Sequence, residues 1–328
     1  AYIKLYFITN ILFISQSLRV GILRILVTGC AGYIGVELVN LLLSEGHQVI
    51  GYDSLLLGGN QLLPFFRNAN FSFIRGDVRE DEKIKTALKD ADAIVHLAAI
   101  VGYPACAQDP ILATQVNVEG TRSILKHASK EQIILFGSTG SNYGAIDGIC
   151  TEETKLNPLT VYAETKTQAE REICESGLNF VAFRFATAFG ISGRIRLDLL
   201  INDFTHKLWR DGYLVVYEHK FMRTFIHVRD IARAFIHALR HFDQMKNECY
   251  NVGNEKLNFT KGAVAQKIAD QTNGLLHFAE IGSDGDKRDY LVDYSKIRNT
   301  GFTLNHTIEE GVSELISVFK VLDNKSPY

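Results

Sequence analysis

Short apolar runs recur along the first part of the chain, and segments with a helical spacing of apolar residues separate them. These runs predict buried strands, and they are Ile22–Val27, Gln48–Tyr52, Phe71–Ile74 and Ala93–Leu97. The segment Val36–Leu43 has its apolar residues at helical spacing, which predicts a helix after the first strand. Strands separated by helices predict an α/β fold with a doubly wound parallel sheet, whose ligand crevice lies at the carboxyl ends of the strands.

Three glycines lie between the first predicted strand and the helix that follows it. Gly29 permits a tight turn, Gly32 lets backbone N–H groups approach a pyrophosphate, and Gly35 allows the helix to pack closely on the strand. Ordinary turns also contain such patterns, but the strand before it and the helix after it are the context that a dinucleotide-binding turn requires. The pattern therefore favours a Rossmann-type dinucleotide site at the start of the sheet.

An acidic residue ends the second predicted strand. Asp53 lies 24 residues after Gly29, which is close to the spacing at which a carboxylate accepts hydrogen bonds from an adenosine ribose. Its negative charge would repel a 2′-phosphate, so NAD is favoured over NADP as the cofactor. The alternative interpretation of Asp53 is a simple turn residue.

A tyrosine and a lysine lie one helical turn apart in the middle of the chain. Tyr162 and Lys166 fall within Val161–Cys174, and if this segment is helical both side chains face the same space. A tyrosine hydroxyl has a pKa of about 10 in isolation, and a neighbouring ammonium lowers that pKa toward the working pH, which makes the tyrosine a general base. Because such pairs are also common on helix surfaces, a third partner is needed to support a catalytic interpretation.

From about Arg24 to its C-terminus the chain resembles the extended short-chain dehydrogenases/reductases of the NAD-dependent epimerase/dehydratase family, which act on nucleotide-activated sugars. The motifs occur in the family's order, with Gly-Asp-Val at Asp77, His-Leu-Ala-Ala from His96 and Asn-Val-Glu-Gly-Thr from Asn117 after the glycine pattern. The resemblance implies NAD as cofactor and a nucleotide-sugar as substrate. The residues that it assigns to the cofactor are Gly29, Gly32, Tyr33, Ile34, Gly35, Asp53, Asp77, Val78, Leu97, Ala98, Ala99, Asn117, Tyr162 and Lys166.

The same resemblance implies the third catalytic partner, Thr139. It follows the apolar run Ile133–Phe136 and precedes Tyr143 by four residues, where the family places a serine or threonine that holds the reacting oxygen of the substrate against the tyrosine. Ser138 is the alternative hydroxyl, and capping of backbone groups at a strand end is the alternative role of Thr139. The catalytic residues expected from the resemblance are Thr139, Tyr162 and Lys166.

The two residues after Thr139 indicate the type of reaction. Dehydratases of this family carry an Asp-Glu pair there, because elimination of water needs an acid and a base besides the tyrosine, and members that epimerise beside a ketone have a cysteine at the second position. This chain has Gly140 and Ser141. We therefore expect an epimerase that transiently oxidises one sugar hydroxyl, with the 4-position favoured. The alternatives are an NAD(P)-dependent nucleotide-sugar ketoreductase and a non-catalytic dinucleotide-binding sensor or scaffold, although a sensor has no need of a matched base and helper.

The second half of the chain is expected to hold the substrate. Thr187 stands where 4-epimerases of the family commonly have asparagine, and this departure weakens an assignment to UDP-galactose 4-epimerase itself. The resemblance assigns Arg223 to the diphosphate, and Arg288 is a second candidate clamp, because a planar guanidinium suits phosphate oxygens. A solvated surface charge is the alternative for both, as it is for Arg194 and Arg196. The substrate-binding candidates are Thr139, Thr187, Asn202, Arg223 and Arg288.

The composition limits the remaining possibilities. With 328 residues, 46% of them apolar, the chain can bury a large core. We expect an NAD-binding domain at 21–185 and a mainly substrate-binding domain at 186–328. Within the second domain, parts of about 225–255 are expected to return to the NAD-binding domain. A net charge of −2 without a basic cluster predicts no nucleic-acid partner. Five cysteines without paired spacing predict reduced thiols in a cytoplasmic protein. The ten histidines lack metal-ligand spacing, which predicts no metal. We also expect the protein to be a homodimer.

Residues 1–20 are predicted to be an N-terminal extension. The stretch Leu5–Ile14 is apolar and aromatic, but it contains Asn10 and falls short of the ~20 continuous apolar residues that a membrane-spanning helix needs. The basic flank and cleavage site of a signal peptide are not clearly present either. We therefore expect no association with a membrane.

Overall fold

The computed structural model describes residues 21–282 and 288–322, so the predicted extension at 1–20 lies outside the described residues. Seven strands form its main sheet: β1 Arg24–Thr28, β2 Gln48–Asp53, β3 Phe71–Arg75, β4 Ala93–His96, β5 Ile133–Thr139, β7 Asn179–Phe185 and β11 Glu248–Val252. All neighbouring strands are parallel, in the order β3-β2-β1-β4-β5-β7-β11. The predicted doubly wound α/β fold is confirmed.

Three smaller sheets accompany the main one. Their strands are β6 Ala145–Cys150, β8 Thr187–Phe189, β9 Tyr213–Tyr217, β10 Met222–His227, β12 Asn258–Thr260, β13 Leu275–Ala279 and β14 Asp289–Val292. β8, β10 and β12 form a three-stranded sheet, whereas β9 pairs with β13 and β6 pairs with β14.

Helices connect the strands. The described α-helices are α1 Tyr33–Ser44, α2 Asp81–Leu88, α3 Tyr103–Gln108, α4 Pro110–Thr114, α5 Gly120–His127, α6 Val161–Glu175, α7 Leu200–Asp211, α8 Val228–Arg240, α9 Phe242–Met245, α10 Lys261–Thr272, α11 Ser295–Arg298 and α12 Ile308–Leu322. A π-helical segment, Gln115–Glu119, joins α4 to α5, and 3-10 turns lie at Asn60–Arg67, Gly140–Tyr143 and Glu255–Leu257. Within the described ranges, every helix is too short or too polar to cross a membrane.

The order of the strands defines where a ligand can bind. β1 lies in the middle of the sheet, and the chain continues outward through β2 and β3 before it returns to the other side of β1 at β4. The connections therefore run to opposite sides at the β1/β4 boundary, which opens a crevice at the carboxyl ends of these strands. The glycine turn after β1 and the residues after β4 lie at this crevice.

The later part of the chain has its own apolar core but also returns to the main sheet. Residues of β8, α7, β10, α10 and α12 pack together in a separate cluster that includes Phe189, Leu208, Phe225, Val264 and Leu315. In contrast, β11 pairs with β7 at the edge of the main sheet, and α8 packs against α1. The division into a cofactor domain and a substrate domain, with about 225–255 returning to the first, stays a prediction.

Candidate active site

The turn between β1 and α1 requires glycine for its own packing. Gly29 has a φ of +74°, its N–H donates to the Tyr52 carbonyl at 2.8 Å, and a Cβ there would lie 2.7 Å from the Ala98 nitrogen. A Cβ at Gly35 would lie 2.2 Å from the Gly29 carbonyl oxygen. Gly32 is less enclosed, since the nearest atom to an added Cβ is the same oxygen at 3.1 Å. The strand, the turn and the helix are thus held close together.

The start of α1 fits the pyrophosphate of a dinucleotide. Gly32 precedes the helix, and no side chain caps its first-turn N–H groups. These groups carry the partial positive charge of the helix N-terminus. Backbone donors at the carboxyl end of a central parallel strand, beside a position without Cβ, form the usual cradle for phosphate. The residues present therefore fit the cofactor that the sequence predicts.

Asp53 lies at the end of β2, beside this turn. Its Oδ2 accepts a hydrogen bond from the Ala31 N–H at 3.0 Å, and its Oδ1 accepts one from the Leu55 N–H at 2.8 Å. The half-buried carboxylate is thus fixed at the edge of the crevice. Arg194 lies close enough to interact with Asp53, although burial is the main cause that lowers the pKa of Arg194.

Asp77 and Val78 follow β3 on the same side of the sheet. The Arg79 side chain donates two hydrogen bonds to the Asp77 carboxylate, at 2.9 and 2.7 Å, and lowers the pKa of Asp77. Val78 is buried, and its side chain would lie 2.5 Å from a Cβ at Gly120. The backbone of this segment is therefore fixed by packing against the helix that follows the π-helical segment.

The residues after β4 are held by Thr28, the last residue of β1. The Leu97 N–H donates to the Thr28 carbonyl at 3.1 Å, and the Ala98 N–H donates to the Thr28 hydroxyl at 3.3 Å. Leu97, Ala98 and Ala99 are half-buried. They therefore form one wall of the crevice opposite the glycine turn.

Two of the predicted cofactor residues use their side chains to hold the crevice together. The Tyr33 hydroxyl donates to the Gly190 carbonyl at 2.6 Å, whereas the neighbouring Ile34 is half-buried. Asn117 donates to the Thr165 hydroxyl at 3.0 Å and accepts from the Ile100 N–H at 2.8 Å. Tyr33 thus joins the glycine turn to the later part of the chain, and Asn117 joins the β4 wall to α6.

The three predicted catalytic residues meet at the carboxyl end of β5. Thr139 is the last residue of β5, and Tyr162 and Lys166 lie in the first two turns of α6. Thr160 caps this helix by accepting a hydrogen bond from the Ala163 N–H at 3.2 Å, which fixes its start. The Thr139 hydroxyl lies close enough to the Tyr162 hydroxyl to lower the pKa of Tyr162. A base and a hydroxyl that can orient a substrate oxygen are therefore in contact.

Burial dominates the electrostatics of Tyr162. It raises the pKa of Tyr162, and the nearby Thr139 hydroxyl and the charges of Arg196 and Arg288 oppose it. The expectation that a neighbouring ammonium brings this pKa toward the working pH is not met in the protein by itself, because removal from water outweighs the favourable charges. Tyr162 is consequently protonated at neutral pH.

Lys166 lies one turn after the tyrosine on α6 and is buried. Its side chain is 3% exposed, and its Nζ lies 3.9 Å from the centre of the Phe136 ring. Burial lowers the pKa of Lys166 to about 7, against the opposing charge of Glu170. Lys166 therefore exchanges its proton close to neutral pH.

Ser138, the alternative catalytic hydroxyl, has other partners. Its Oγ donates to Oε2 of Glu170 at 2.6 Å, and Oε1 of Glu170 lies 2.7 Å from Nη2 of Arg184. Both charged side chains are buried, with 4% of the glutamate and 8% of the arginine exposed. Mutual pairing compensates their removal from water. Ser138 thus belongs to a buried ion-pair network, while Thr139 meets the tyrosine.

Ser141 links the catalytic threonine to an arginine. The Thr139 hydroxyl donates to Ser141 Oγ at 3.1 Å, and Nη1 of Arg288 donates to the same oxygen at 2.8 Å. The Ser141 N–H donates back to the Thr139 hydroxyl at 3.1 Å. Arg288, which the sequence suggested as a diphosphate clamp, therefore reaches the catalytic hydroxyls. We refer to Thr139, Ser141 and Arg288 as the hydroxyl–arginine chain.

Arg223 supports the backbone that carries Arg288. It is 1% exposed, and its Nη1 donates to the carbonyl oxygens of Met222 and Arg288. A guanidinium buried to this extent is not a solvated surface charge, which removes one alternative from the sequence analysis. The assignment of Arg223 to the diphosphate itself stays a prediction.

Thr187 and Asn202, both predicted to bind the substrate, lie in different settings. Thr187 is half-buried at the start of β8, where it pairs with Phe225 of β10. Asn202 is fully buried on α7, accepts from the Gly190 N–H at 3.0 Å and donates to the Arg196 carbonyl at 2.9 Å. The amide of Asn202 therefore fixes the 190–196 loop.

Arg196 is a site residue that the sequence could not separate from a surface charge. Its side chain is 14% exposed and pairs with Asp198, with 2.5 Å between Nη2 and Oδ2. A Cβ at Gly102 would lie 3.4 Å from Nη2 of Arg196, so the guanidinium lies against the wall that follows β4. The charge of Arg196 favours the phenolate of Tyr162. Arg196 therefore belongs to the electrostatic environment of the base.

Across 21–282 and 288–322, no group of three His, Cys, Asp or Glu side chains is placed to hold a metal ion. His96, the histidine nearest the crevice, lies between the hydroxyls of Thr28 and Thr121, at 2.8 and 3.0 Å. Burial lowers the pKa of His96 to about 3, so it is neutral.

The fold and the contact between Thr139 and Tyr162 define a nicotinamide-dependent enzyme of the short-chain dehydrogenase/reductase class. Comparison with protein families specifies the class further. The model of the NAD dependent epimerase/dehydratase family matches residues 25–253, and the chain belongs to this family. The expectation of NAD as cofactor is confirmed.

Individual relatives span more than one activity. A UDP-glucose 4-epimerase of Lactobacillus helveticus is 28% identical over 70% of this chain and 76% of its own length. A dTDP-glucose 4,6-dehydratase of Streptomyces niveus is 28% identical over 93% of this chain and 94% of its own length. The solved structure of MoeE5 in complex with UDP-glucose and NAD superposes with a TM-score of 0.78, at 25% identity, over 92% of this chain and all of that one. The family therefore includes both isomerases and lyases.

The position of Asp53 leads to a prediction about the cofactor. We expect NAD to bind at least about tenfold more tightly than NADP, because the fixed carboxylate would face the extra phosphate. Asp53→Ser is expected to reduce this preference, whereas Asp270→Ser, at an exposed position on α10, is expected to leave it unchanged. Equal affinities of the unmodified protein for the two dinucleotides, measured by calorimetric titration, would contradict the role of Asp53.

Proposed function

We propose that this protein is an NAD-dependent nucleotide-sugar 4-epimerase that inverts a sugar carbinol by transient oxidation. The observation that carries the proposal is the hydroxyl–arginine chain. The two positions after Thr139 hold Gly140 and Ser141, and Ser141 is hydrogen-bonded to Thr139 and Arg288. Elimination of water would require two carboxyl groups at these positions. Similarity to a UDP-glucose 4-epimerase over most of that protein supports the same activity.

In the proposed reaction each residue of the site has a separate task. Tyr162 first passes its own proton to Lys166, and its phenolate then takes the proton of the sugar hydroxyl, while Thr139 holds the same oxygen by a hydrogen bond. The glycine turn and Asp53 would hold NAD, which would supply a reversible hydride acceptor at that carbon. Lys166, with a pKa of about 7, lies one turn further along α6 and exchanges a proton with the tyrosine. Ser141 fixes the threonine hydroxyl, and Arg288 contributes positive charge that favours the phenolate.

Charge at the site supports a substrate that brings negative groups with it. Arg196 and Arg288 both lie close enough to Tyr162 to lower its pKa. Guanidinium groups pair well with phosphate oxygens. We propose that a nucleoside diphosphate enters along this side of the crevice. The homodimeric state and the cytoplasmic location belong to the same proposal, and they rest on the family resemblance and on composition.

A substrate panel separates the proposed epimerase from its alternatives. The protein with a catalytic amount of NAD is incubated with UDP-, GDP-, dTDP- and CDP-sugars, and product mass and NADH absorbance are followed. We expect a product of unchanged mass without net formation or loss of NADH, because an epimerase regenerates its cofactor. A product lighter by one water would identify a dehydratase. In a parallel assay with added NADH and a keto-sugar, stoichiometric consumption of NADH would identify a reductase. NAD binding without any turnover would favour a sensor.

A further inference from the structure

Two cysteines from distant parts of the chain meet at the protein surface. Cys174 lies in the last turn of α6, and Cys249 lies in β11 at the edge of the main sheet, 75 residues later. Their Sγ atoms are 3.6 Å apart. A disulfide bond is about 2.05 Å long, so the sulfurs are in contact without being bonded. We refer to Cys174 and Cys249 as the surface thiol pair.

The two thiols differ in exposure and acidity. Cys174 is exposed and Cys249 is half-buried. The hydrogen bond between the sulfurs lowers the pKa of Cys174 and raises that of Cys249. An exposed thiol with a lowered pKa is the one that attacks a disulfide, and a less acidic neighbour within reach completes the exchange.

The surface thiol pair is accessible to a small molecule. A surface cavity of about 450 Å³ is lined by both cysteines, together with Lys296, Glu152 and Arg184. Clefts of this size accommodate small ligands. The cavity contains both positive and negative side chains, which suits a zwitterionic peptide disulfide better than a purely apolar compound.

The remaining cysteines do not share these properties. Cys30, Cys106 and Cys150 are buried. Burial raises the pKa of each of them. Thiols that are buried and protonated react slowly. Thiol chemistry in the described part of the chain is therefore concentrated at the surface thiol pair.

We propose that Cys174 and Cys249 form a reversible dithiol–disulfide site that reacts with low-molecular-weight disulfides. The Cys174 thiolate attacks one sulfur of the small disulfide, whose S–S bond breaks and releases one thiolate. Cys249 gives up its proton and attacks Cys174 Sγ, which breaks the mixed disulfide and releases the second thiolate. The two protein thiols lose two electrons and two protons, and the small disulfide gains them as two thiols.

The new bond joins the helix of the catalytic residues to the edge of the sheet. α6 carries Tyr162 and Lys166 at its start and Cys174 at its end, whereas β11 belongs to the part of the chain that returns to the sheet. The link closes a loop of 75 residues. Closure of a long loop restricts the unfolded chain, and we expect Tm to rise by about 5 °C on oxidation.

Thiol trapping tests the proposal. The protein is equilibrated with glutathione buffers of increasing disulfide fraction, free thiols are alkylated, and intact and peptide masses are measured. We expect a species lighter by two hydrogen atoms, whose peptides show a Cys174–Cys249 bond, and we expect reduction to reverse it. Full alkylation of both cysteines in excess glutathione disulfide would overturn the proposal. So would a stable glutathione adduct on Cys174 in the unmodified protein.

Single variants provide the controls. Cys249→Ser is expected to retain one glutathione on Cys174, because the resolving thiol is missing. Cys174→Ser is expected to remain unmodified. Cys150→Ala, at a buried position outside the pair, is expected to form the intramolecular bond as the unmodified protein does. If Cys174→Ser also gave a species lighter by two hydrogen atoms, the disulfide would belong to other cysteines, and the proposal would be overturned.

Discussion

Tyr162→Phe is expected to reduce turnover by ~100-fold or more while NAD remains bound, because the change removes only the proton-transferring hydroxyl. In the structure this hydroxyl lies close to Thr139, and the buried Lys166 lies one turn further along the same helix. Phenylalanine preserves the ring and its packing on α6. Turnover is measured on the sugar nucleotide that the substrate panel identifies, and NAD affinity is measured by calorimetric titration of the same preparation.

The same substitution at an exposed tyrosine provides the control. Tyr213 in β9 is 61% exposed, and Tyr213→Phe is expected to retain the activity and the NAD affinity of the unmodified protein. Full activity of Tyr162→Phe on the true substrate would show that the proposed mechanism is wrong. A loss of NAD binding that accounts for the whole loss of turnover would instead make Tyr162 a cofactor-binding residue only.

Arg184→Met is expected to lower the free energy of unfolding by about 3–5 kcal/mol, because it leaves a buried carboxylate without its partner. The Glu170–Arg184 pair is 2.7 Å long, and less than a tenth of either side chain is exposed. The loss is measured by urea denaturation. Since Glu170 also accepts the hydrogen bond of Ser138, the variant perturbs the strand end that carries Thr139.

An ion pair between α5 and α6 provides the comparison. Arg122 pairs with Glu172 at 2.6 Å, but 46% of the arginine side chain is exposed. Arg122→Met is therefore expected to change the free energy of unfolding by less than about 1 kcal/mol. Combining Arg184→Met with Glu170→Leu is expected to recover much of the stability, because the second change removes the unpaired charge. Equal losses for Arg184→Met and Arg122→Met would contradict the importance of burial.

The main sheet could be predicted because most of its strands carry their own local signal. β1, β2 and β4 coincide with apolar runs, and the glycine turn begins where the first run ends. β11 is different, because Glu248–Val252 mixes polar and apolar residues and acquires its place only by pairing with β7. Pairing between segments so far apart leaves no periodic pattern in either of them. The sequence therefore predicted a return of the chain without its exact strand.

The catalytic helix could be predicted for a similar reason, whereas its surroundings could not. Tyr162 and Lys166 are one turn apart, so their proximity follows from helical geometry alone. Glu170, a further turn along, carries the same helical signal, but its burial does not follow from spacing, because an acidic residue on a helix is usually solvated. Contacts such as that of Arg288 with Ser141 join residues 147 positions apart, and only the folded chain brings them together.

The surface thiol pair is also formed by residues that are far apart in the sequence. Cysteine spacing gave no sign of a partnership between Cys174 and Cys249, because 75 residues lie between them. Spacing rules detect ligands or bridges within one local motif. The expectation of reduced cysteines agrees with the five free thiols of the structure. The contact between two of them depends on the pairing of β11 with β7.

β11 is the last strand of the main sheet along the chain, and its position affects the synthesis of the protein. On a ribosome the first six strands of the main sheet are complete once β7 has emerged. The strand that covers β7 is made only after 62 intervening residues, which include α7, β10 and α8. During this interval β7 presents an unpaired edge, and such edges pair readily with other chains. The nascent chain therefore depends on prompt completion of its C-terminal half, and a ribosome that stalls between β7 and β11 would release a chain prone to aggregation.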